Sequence, residues 1–158
     1  GPNPACRQLC EAYERYGLGI AGVKKVALEV IGKYCSLDAE RMEDGYFRVR
    51  DMIEKPRPEE VISPYAILGR VVLPPEIFPI LEKTPPGAGG EIQLTDAMRI
   101  LARQDTMIGV EYEGKRYDMG NKLGILQAIV EVGLQHPEIG GAFREYLNGM
   151  SAGGQFSL

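Results

Sequence analysis

The chain has 158 residues, 44% of them apolar and 25% charged, with a formal net charge of -4. That is enough apolar chain for one domain with a real core, and it argues against a disordered or membrane-spanning chain. The acidic balance also argues against a nucleic-acid partner gripped by a broad basic face.

Gly1-Pro2 reads as a protease-cleavage scar, and no secretory leader is visible. The three cysteines stand at 6, 10 and 35, and the single histidine is His136. Cys6 and Cys10 are one helical turn apart, but zinc needs about four ligands and His136 is remote in sequence. Reduced, packed thiols in a cytoplasmic protein are expected. One histidine also argues against His-centred acid–base or triad chemistry.

Asn3-Pro4 marks a helix start, Ala5, Leu9, Ala12, Tyr13 and Tyr16 recur at helical spacing, and Gly17 ends the helix. Residues 18–26 read as a short strand apolar on both faces, as in a covered parallel sheet. A helical turn or loop over 27–33 leads to a strand over 34–39. The turn Glu43-Asp44-Gly45 leads to a strand over 46–54. Along that last strand, Val49, Asp51 and Ile53 are expected on one face and Arg50, Met52 and Glu54 on the other. Pro56 stops it, having no N–H for a ladder. Glu54 and Lys55 therefore sit at the carboxyl end of a strand, where ligands bind in open α/β sheets. A glutamate can accept from sugar hydroxyls, and a lysine can neutralise a phosphate. A plain solvated strand end is the other reading.

Residues 57–63 read as a polar loop and 65–73 as the most apolar strand, with Gly69-Arg70 in its middle. Pro74-Pro75 opens a short helix over 76–82. The run Thr84 to Gly90 is too rich in Pro and Gly for regular structure. It is either a mobile loop or a set of backbone N–H groups offered to a phosphate. An amphipathic helix follows over 91–103, then a strand over 107–112. A hairpin turn at 113–115 and a returning strand over 116–118 come next. Asp118, ahead of Gly120 and a helix over 122–136, is a candidate hard-cation ligand or a helix cap. Pro137 breaks that helix, and a final helix spans 138–148. One domain over 3–148 with a flexible tail over 149–158 is expected. Strands alternating with helices point to an α/β fold with a mixed, mainly parallel sheet covered by helices on both faces.

Four strings, taken together, are similar to one family. They are Glu54-Lys55-Pro56 with Tyr65-Ala66-Ile67-Leu68-Gly69-Arg70, then Pro86-Gly87-Ala88-Gly89-Gly90-Glu91-Ile92-Gln93-Leu94-Thr95-Asp96-Ala97, then Tyr117-Asp118-Met119-Gly120-Asn121. From about Asn3 to about Leu147 the chain resembles the carboxyl-terminal half of bacterial UTP–glucose-1-phosphate uridylyltransferases. The resemblance implies a partial nucleotide-diphospho-sugar transferase fold, Rossmann-like, without its amino-terminal nucleotide-binding half. It implies transfer of UMP from UTP to glucose 1-phosphate with Mg²⁺, giving UDP-glucose and pyrophosphate. Glu54 would bind glucose hydroxyls and Lys55 the sugar phosphate. Ile67 and Gly69 would line the sugar pocket, and Asp118 would be one of two metal ligands.

The chain departs from the family pattern in places. The Gly-rich nucleotide loop and the partner aspartate are absent, so a fragment inactive on its own is expected. The usual Tyr-Gly-Val reads Tyr34-Cys35-Ser36, the usual Ser-Asn reads Ser63-Pro64, and an aromatic is replaced by Val71. Two alternatives stay open: another sugar-1-phosphate nucleotidyltransferase, and a non-catalytic sugar-phosphate-binding or oligomerisation module. A homo-oligomer is expected, because a sheet cut from its neighbours exposes an edge.

Overall fold

The structure, a computed structural model, describes residues 3–152. The reading of Gly1-Pro2 as a scar, and that of a flexible tail beyond Ala152, lie outside the described residues. The chain divides between Gly114 and Lys115 into two compact units.

The first unit opens with α1 (Ala5–Tyr16), closed by Gly17 at φ 62° as the left-handed cap that glycine favours. Next come β1 (Gly19–Lys25), the short α2 (Leu28–Ile31), β2 (Cys35–Arg41), β3 (Phe47–Glu54) and β4 (Tyr65–Val72). The unit ends with α3 (Ile77–Leu81), α4 (Leu94–Arg103) and β5 (Met107–Glu111). The five strands are hydrogen-bonded in a closed ring, β1-β4-β2-β3-β5.

The expected mainly parallel sheet is not what forms. β1 and β5 are parallel, whereas β1–β4, β2–β3, β2–β4 and β3–β5 are antiparallel. The reason is connection length. β2 and β3 are joined by a tight turn at Gly45 (φ 89°), which can only reverse the chain. The parallel pair is far apart in the chain, with β2, β3, β4 and the helices α2, α3 and α4 between its members, which leaves ample chain for a crossover. The α/β character holds, because helices pack on the sheet. Leu9 and Ala12 of α1 pack with Ile20, Ile108, Val110 and Tyr112. Ala97, Met98, Leu101 and Ala102 of α4 pack with Val23, Leu37, Val49 and Met52.

Two irregularities shape the sheet. Asp38 pairs with Asp51 and Ala39 with Val49, so Arg50 is an extra residue on β3. This bulge reverses the alternation. Val49 and Met52, expected on opposite faces, are both buried in the α4 cluster at 0% and 1% exposure. On β4, Ala21 pairs with Val71 and Val23 with Ile67, so three β4 residues face Gly22 where a regular ladder has one. Gly69 and Arg70 take up the excess with φ of 82° and 71°.

The helix expected over 91–103 begins only at Leu94. Gly89 and Gly90 both have φ 76°, and a short 3₁₀ turn, Ala88–Gly90, lies within the Pro/Gly run. The Gly87 N–H donates to the Glu91 carbonyl across 2.8 Å, which closes the loop on itself.

The second unit holds α5 (Lys122–Gln135) and α6 (Gly140–Ala152). α6 carries on past the expected end at 148. No strand forms over 116–118. β5 already has β1 on one side and β3 on the other, so no ladder edge is left for a returning strand. The Lys115 ammonium and the Tyr117 hydroxyl instead donate to the Glu131 carboxylate on α5.

Candidate sugar-phosphate site

A row of paired residues crosses three strands of the first unit. Cys35 on β2 is opposite Glu54 on β3 and Ile67 on β4. Residues paired across adjacent strands share a face, so Glu54 stands beside the buried Cys35 and Ile67, not across the sheet from them. The β3 bulge is what places it there. Neighbouring strands are about 4.8 Å apart, so Glu54 and Ile67 bracket roughly 10 Å.

This row is part of the wall of a cleft of about 330 Å³. Gly69 and Arg70 of the β4 bulge, and Leu94, Thr95 and Met98 of α4, complete it. A Cβ at Gly69 would meet nothing within 4 Å, so glycine is needed there for its backbone angle and not for space. The Thr95 Oγ1 is buried with no hydrogen-bond partner among the described residues. Buried hydroxyls are nearly always partnered, and this one can both donate and accept. A carboxylate that accepts, a hydroxyl that does both, and apolar walls from Ile67, Leu94 and Met98 suit a polyhydroxylated ring.

Glu54, Ile67 and Gly69, the sugar-pocket residues that the resemblance implies, all line this one cleft. Lys55 is placed differently. Its N–H donates to the Tyr34 carbonyl at 2.9 Å, continuing the β2–β3 pairing by one residue. Its φ of 46° then turns the chain, and its exposed side chain is not among the groups lining the cleft. Thr95, Arg70 and Met98 went unread as site residues in the sequence. The usable signal was the Leu-Thr-Asp start of α4 directly after the Pro/Gly loop.

Burial pushes the Cys35 thiol well up, with the Glu54 and then the Asp96 carboxylate adding to it. Cys35 therefore enters the cleft wall as a neutral, weakly polar group. The neighbouring Ser36, fully buried, donates to the Ser63 carbonyl (3.1 Å) and accepts from the N–H groups of Ile62 and Ser63. One hydroxyl ties the β3–β4 loop to β2, and Ser63 in turn donates to the Leu37 carbonyl at 2.6 Å.

Asp118 belongs to the second unit. Its Oδ1 accepts from the Gly120 N–H at 2.9 Å, and Asn121 caps α5 by accepting from the Gly124 N–H at 2.7 Å. A Cβ at Gly124 would stand 2.0 Å from the Asp118 carbonyl oxygen, so only glycine lets α5 begin this close. Among the described residues there is no group of three His, Cys, Asp or Glu side chains that could hold a metal ion. A magnesium ion bound with substrate phosphates needs only one or two carboxylates, and Asp118 is of that type.

A larger groove of about 680 Å³ is lined mainly by apolar residues such as Leu28, Ile31, Pro56, Val61 and Ile62, with Glu29 and Ser63 as its polar side chains. No helix of the described residues is long and apolar enough to cross a membrane.

No family model matches the chain. It is 42% identical over 145 residues to the UTP–glucose-1-phosphate uridylyltransferase YngB of Bacillus subtilis, covering 92% of this chain and 49% of that protein. Among solved structures, a UDP-glucose pyrophosphorylase complexed with UDP-glucose superposes with a TM-score of 0.78 at 38% identity, covering 82% of this chain and 49% of that one. The UDP-glucose pyrophosphorylase of Acinetobacter baumannii gives 0.79 at 30% identity, covering 92% and 50%. The chain spans about half the length of the curated relatives it matches. Across about nine-tenths of its own length, then, this chain is similar to one half of the UTP–glucose-1-phosphate uridylyltransferases.

Proposed function

We infer that this chain carries the sugar-phosphate-binding part of a UTP–glucose-1-phosphate uridylyltransferase. The observation that supports it best is the Glu54–Cys35–Ile67 row, whose carboxylate faces a cleft of monosaccharide size in a chain of this similarity. In the whole reaction a phosphate oxygen of glucose 1-phosphate attacks the α-phosphorus of UTP. A new P–O bond forms, the bond to the β-phosphate bridging oxygen breaks, and pyrophosphate leaves. A phosphate oxygen is already a nucleophile at neutral pH, so no histidine base is needed. What the protein supplies is alignment and charge neutralisation. Glu54 holds sugar hydroxyls, and Ile67 and Gly69 shape the pocket around them. Lys55, on the outer rim, supplies positive charge to the phosphates. Asp118 would hold Mg²⁺, which when bound offsets the charge of the nucleotide phosphates. UTP and UDP-glucose would contact this part of the site mainly through their phosphates and sugar.

The reading is tested by calorimetric titration of the chain with glucose 1-phosphate and galactose 1-phosphate. Binding of the first with a preference over the second is expected. Glu54→Ala should lose about tenfold in affinity, ~1.4 kcal/mol, and most of that preference, with Glu54→Gln less affected. An unchanged sugar ratio in Glu54→Ala contradicts the role given to Glu54. Pyrophosphate release from UTP, glucose 1-phosphate and Mg²⁺ should stay at the blank, because the cleft alone cannot hold both phosphate chains in line. Clear turnover contradicts that.

Self-association in a cytoplasmic setting belongs to the same reading, though not through a sheet edge, since the ring of strands is closed. Its support is α5, where Leu123, Leu126, Ile129 and Val132 form an exposed apolar stripe without charge. Such a stripe can pair with itself about a two-fold axis. Light scattering at micromolar concentration should give a dimer or larger, and Leu126→Glu a monomer. A monomeric parent chain would contradict it.

A further inference from the structure

Residues 115–121 form neither helix nor strand, and this segment delivers Asp118 to the start of α5. Two of its side chains end on a single carboxylate. The Lys115 ammonium donates to both oxygens of Glu131 at 2.5 Å, and the Tyr117 hydroxyl donates to Glu131 Oε2 at 2.8 Å. The same ammonium stands 5.3 Å from the centre of the Tyr117 ring. Glu131 is on the third turn of α5, about 14 Å along the axis from its first residue. Gly124 is two helical turns before Glu131, so the two share a face of the helix. At Gly124 the Asp118 carbonyl oxygen comes so close that a Cβ there would stand 2.0 Å from it. One face of α5 thus grips the segment twice, through the Tyr117 side chain and against the Asp118 backbone. The Asp118 Oδ1 itself accepts from the Gly120 N–H at 2.9 Å.

We propose that Glu131 is a positioning residue for Asp118, fixing the segment that carries the carboxylate which would hold a divalent cation. This rests on the functional reading above and adds to it a residue that acts through Lys115 and Tyr117. Magnesium demands near-ideal octahedral geometry with ligands at about 2.0–2.1 Å, so a carboxylate on unrestrained backbone serves it poorly. Irregular backbone has no ladder of its own to hold it. An ionised carboxylate has acceptor sites enough for an ammonium and a hydroxyl together, which lets one side chain of α5 restrain two of the segment. Lys115 is 61% exposed and Glu131 35%, and an ion pair so exposed adds little to fold stability. Its removal should therefore show in the placement of Asp118 and not in unfolding.

The experiment is a ¹⁵N-resolved titration of the full chain with Mn²⁺ in the presence of glucose 1-phosphate. The parent is compared with Glu131→Ala, Glu131→Gln and Asp118→Asn. Manganese accepts the same oxygen ligands as magnesium, and it broadens the amides near it. In the parent, broadening should be selective for residues 117–121, and it should vanish in Asp118→Asn. Glu131→Ala should need about fivefold more Mn²⁺ for the same broadening. Its Asp118 and Gly120 amides should also gain fast motion in ¹⁵N relaxation. Glu131→Gln keeps an acceptor for both donors, so it should fall between the two. Circular dichroism of the Glu131 variants should match the parent, because alanine and glutamine both suit a helix interior. If Glu131→Ala responds to Mn²⁺ within twofold of the parent, the proposal is overturned while the reading of Asp118 stands. If it loses helicity, Glu131 is merely structural and the proposal is overturned. If the parent shows no selective broadening over 117–121, the metal role of Asp118 falls and the proposal falls with it.

Discussion

Cys35 shows how one residue can be packing and site at once. It is 2% exposed, its thiol is pushed up by burial and by Glu54, and it is paired with both Glu54 and Ile67. Cys6 and Cys10 are exposed on α1. The thiolate is the reactive form, so a buried, neutral thiol should be inert. With Ellman's reagent at pH 8, two thiols should react quickly and the third only on unfolding. Three thiols reacting at one rate would contradict the placement of Cys35. At this scale the sequence is informative where a residue type has one use. Glu54 and Gly69 could be read that way, since a carboxylate at a strand end and a glycine inside a strand each call for a reason. Thr95 could not, because a threonine in the first turn of a helix is ordinary until its hydroxyl is seen to lack a partner.

Among the elements, β3 and α4 are joined by one carboxylate. Asp51 accepts from Arg99 Nε at 2.6 Å and from Arg103 Nη2 at 3.0 Å. The hydrogen bond from Arg99 above all, and that from Arg103, hold its carboxyl below the usual carboxylate range. A depressed carboxylate stabilises the fold above its unfolded pKa of about 3.9 and loses that contribution as pH falls toward the folded value. Asp51→Asn should therefore cost about 1–2 kcal/mol at pH 7, allowing for solvent screening at the half-exposed Arg103. The gap to the parent should narrow below about pH 4. Urea unfolding at several pH values measures both, and a gap that widens in acid would contradict the linkage. Ser36→Ala should cost about 1–3 kcal/mol, because two N–H groups of the β3–β4 loop lose their acceptor. A change within a few tenths of a kcal/mol would show that the loop is pinned by something else. Each strand and helix of this layout was close to its expected range. The bulge at Arg50 was not foreseeable, because β3 has apolar residues in both phases and alternation alone cannot locate an extra residue. The returning strand over 116–118 was misread because a hairpin pattern says nothing about whether its partner's edge is already occupied.

At the level of the molecule, the long Pro86-to-Ala97 string made the family resemblance legible, whereas strand direction was not. Runs apolar on both faces fit a buried parallel sheet and a closed antiparallel ring equally well. The ring is what brings the ends of β2, β3 and β4 together around one cleft, with α4 as its far wall. The second unit has its own internal logic in the Asp118–Gly124 contact. Gly124→Ala should destabilise the start of α5, read as lost helicity in circular dichroism, and unchanged helicity would argue against the contact. The central claim is that the Glu54 cleft, and not the larger apolar groove, receives a sugar phosphate. The most direct measurement is a ¹⁵N-resolved amide titration of the chain with glucose 1-phosphate. The account predicts saturable shifts concentrated at Cys35, Glu54, Ile67, Gly69, Arg70 and Thr95. Shifts centred on Leu28, Val61 and Ile62, or none at millimolar ligand, would contradict it.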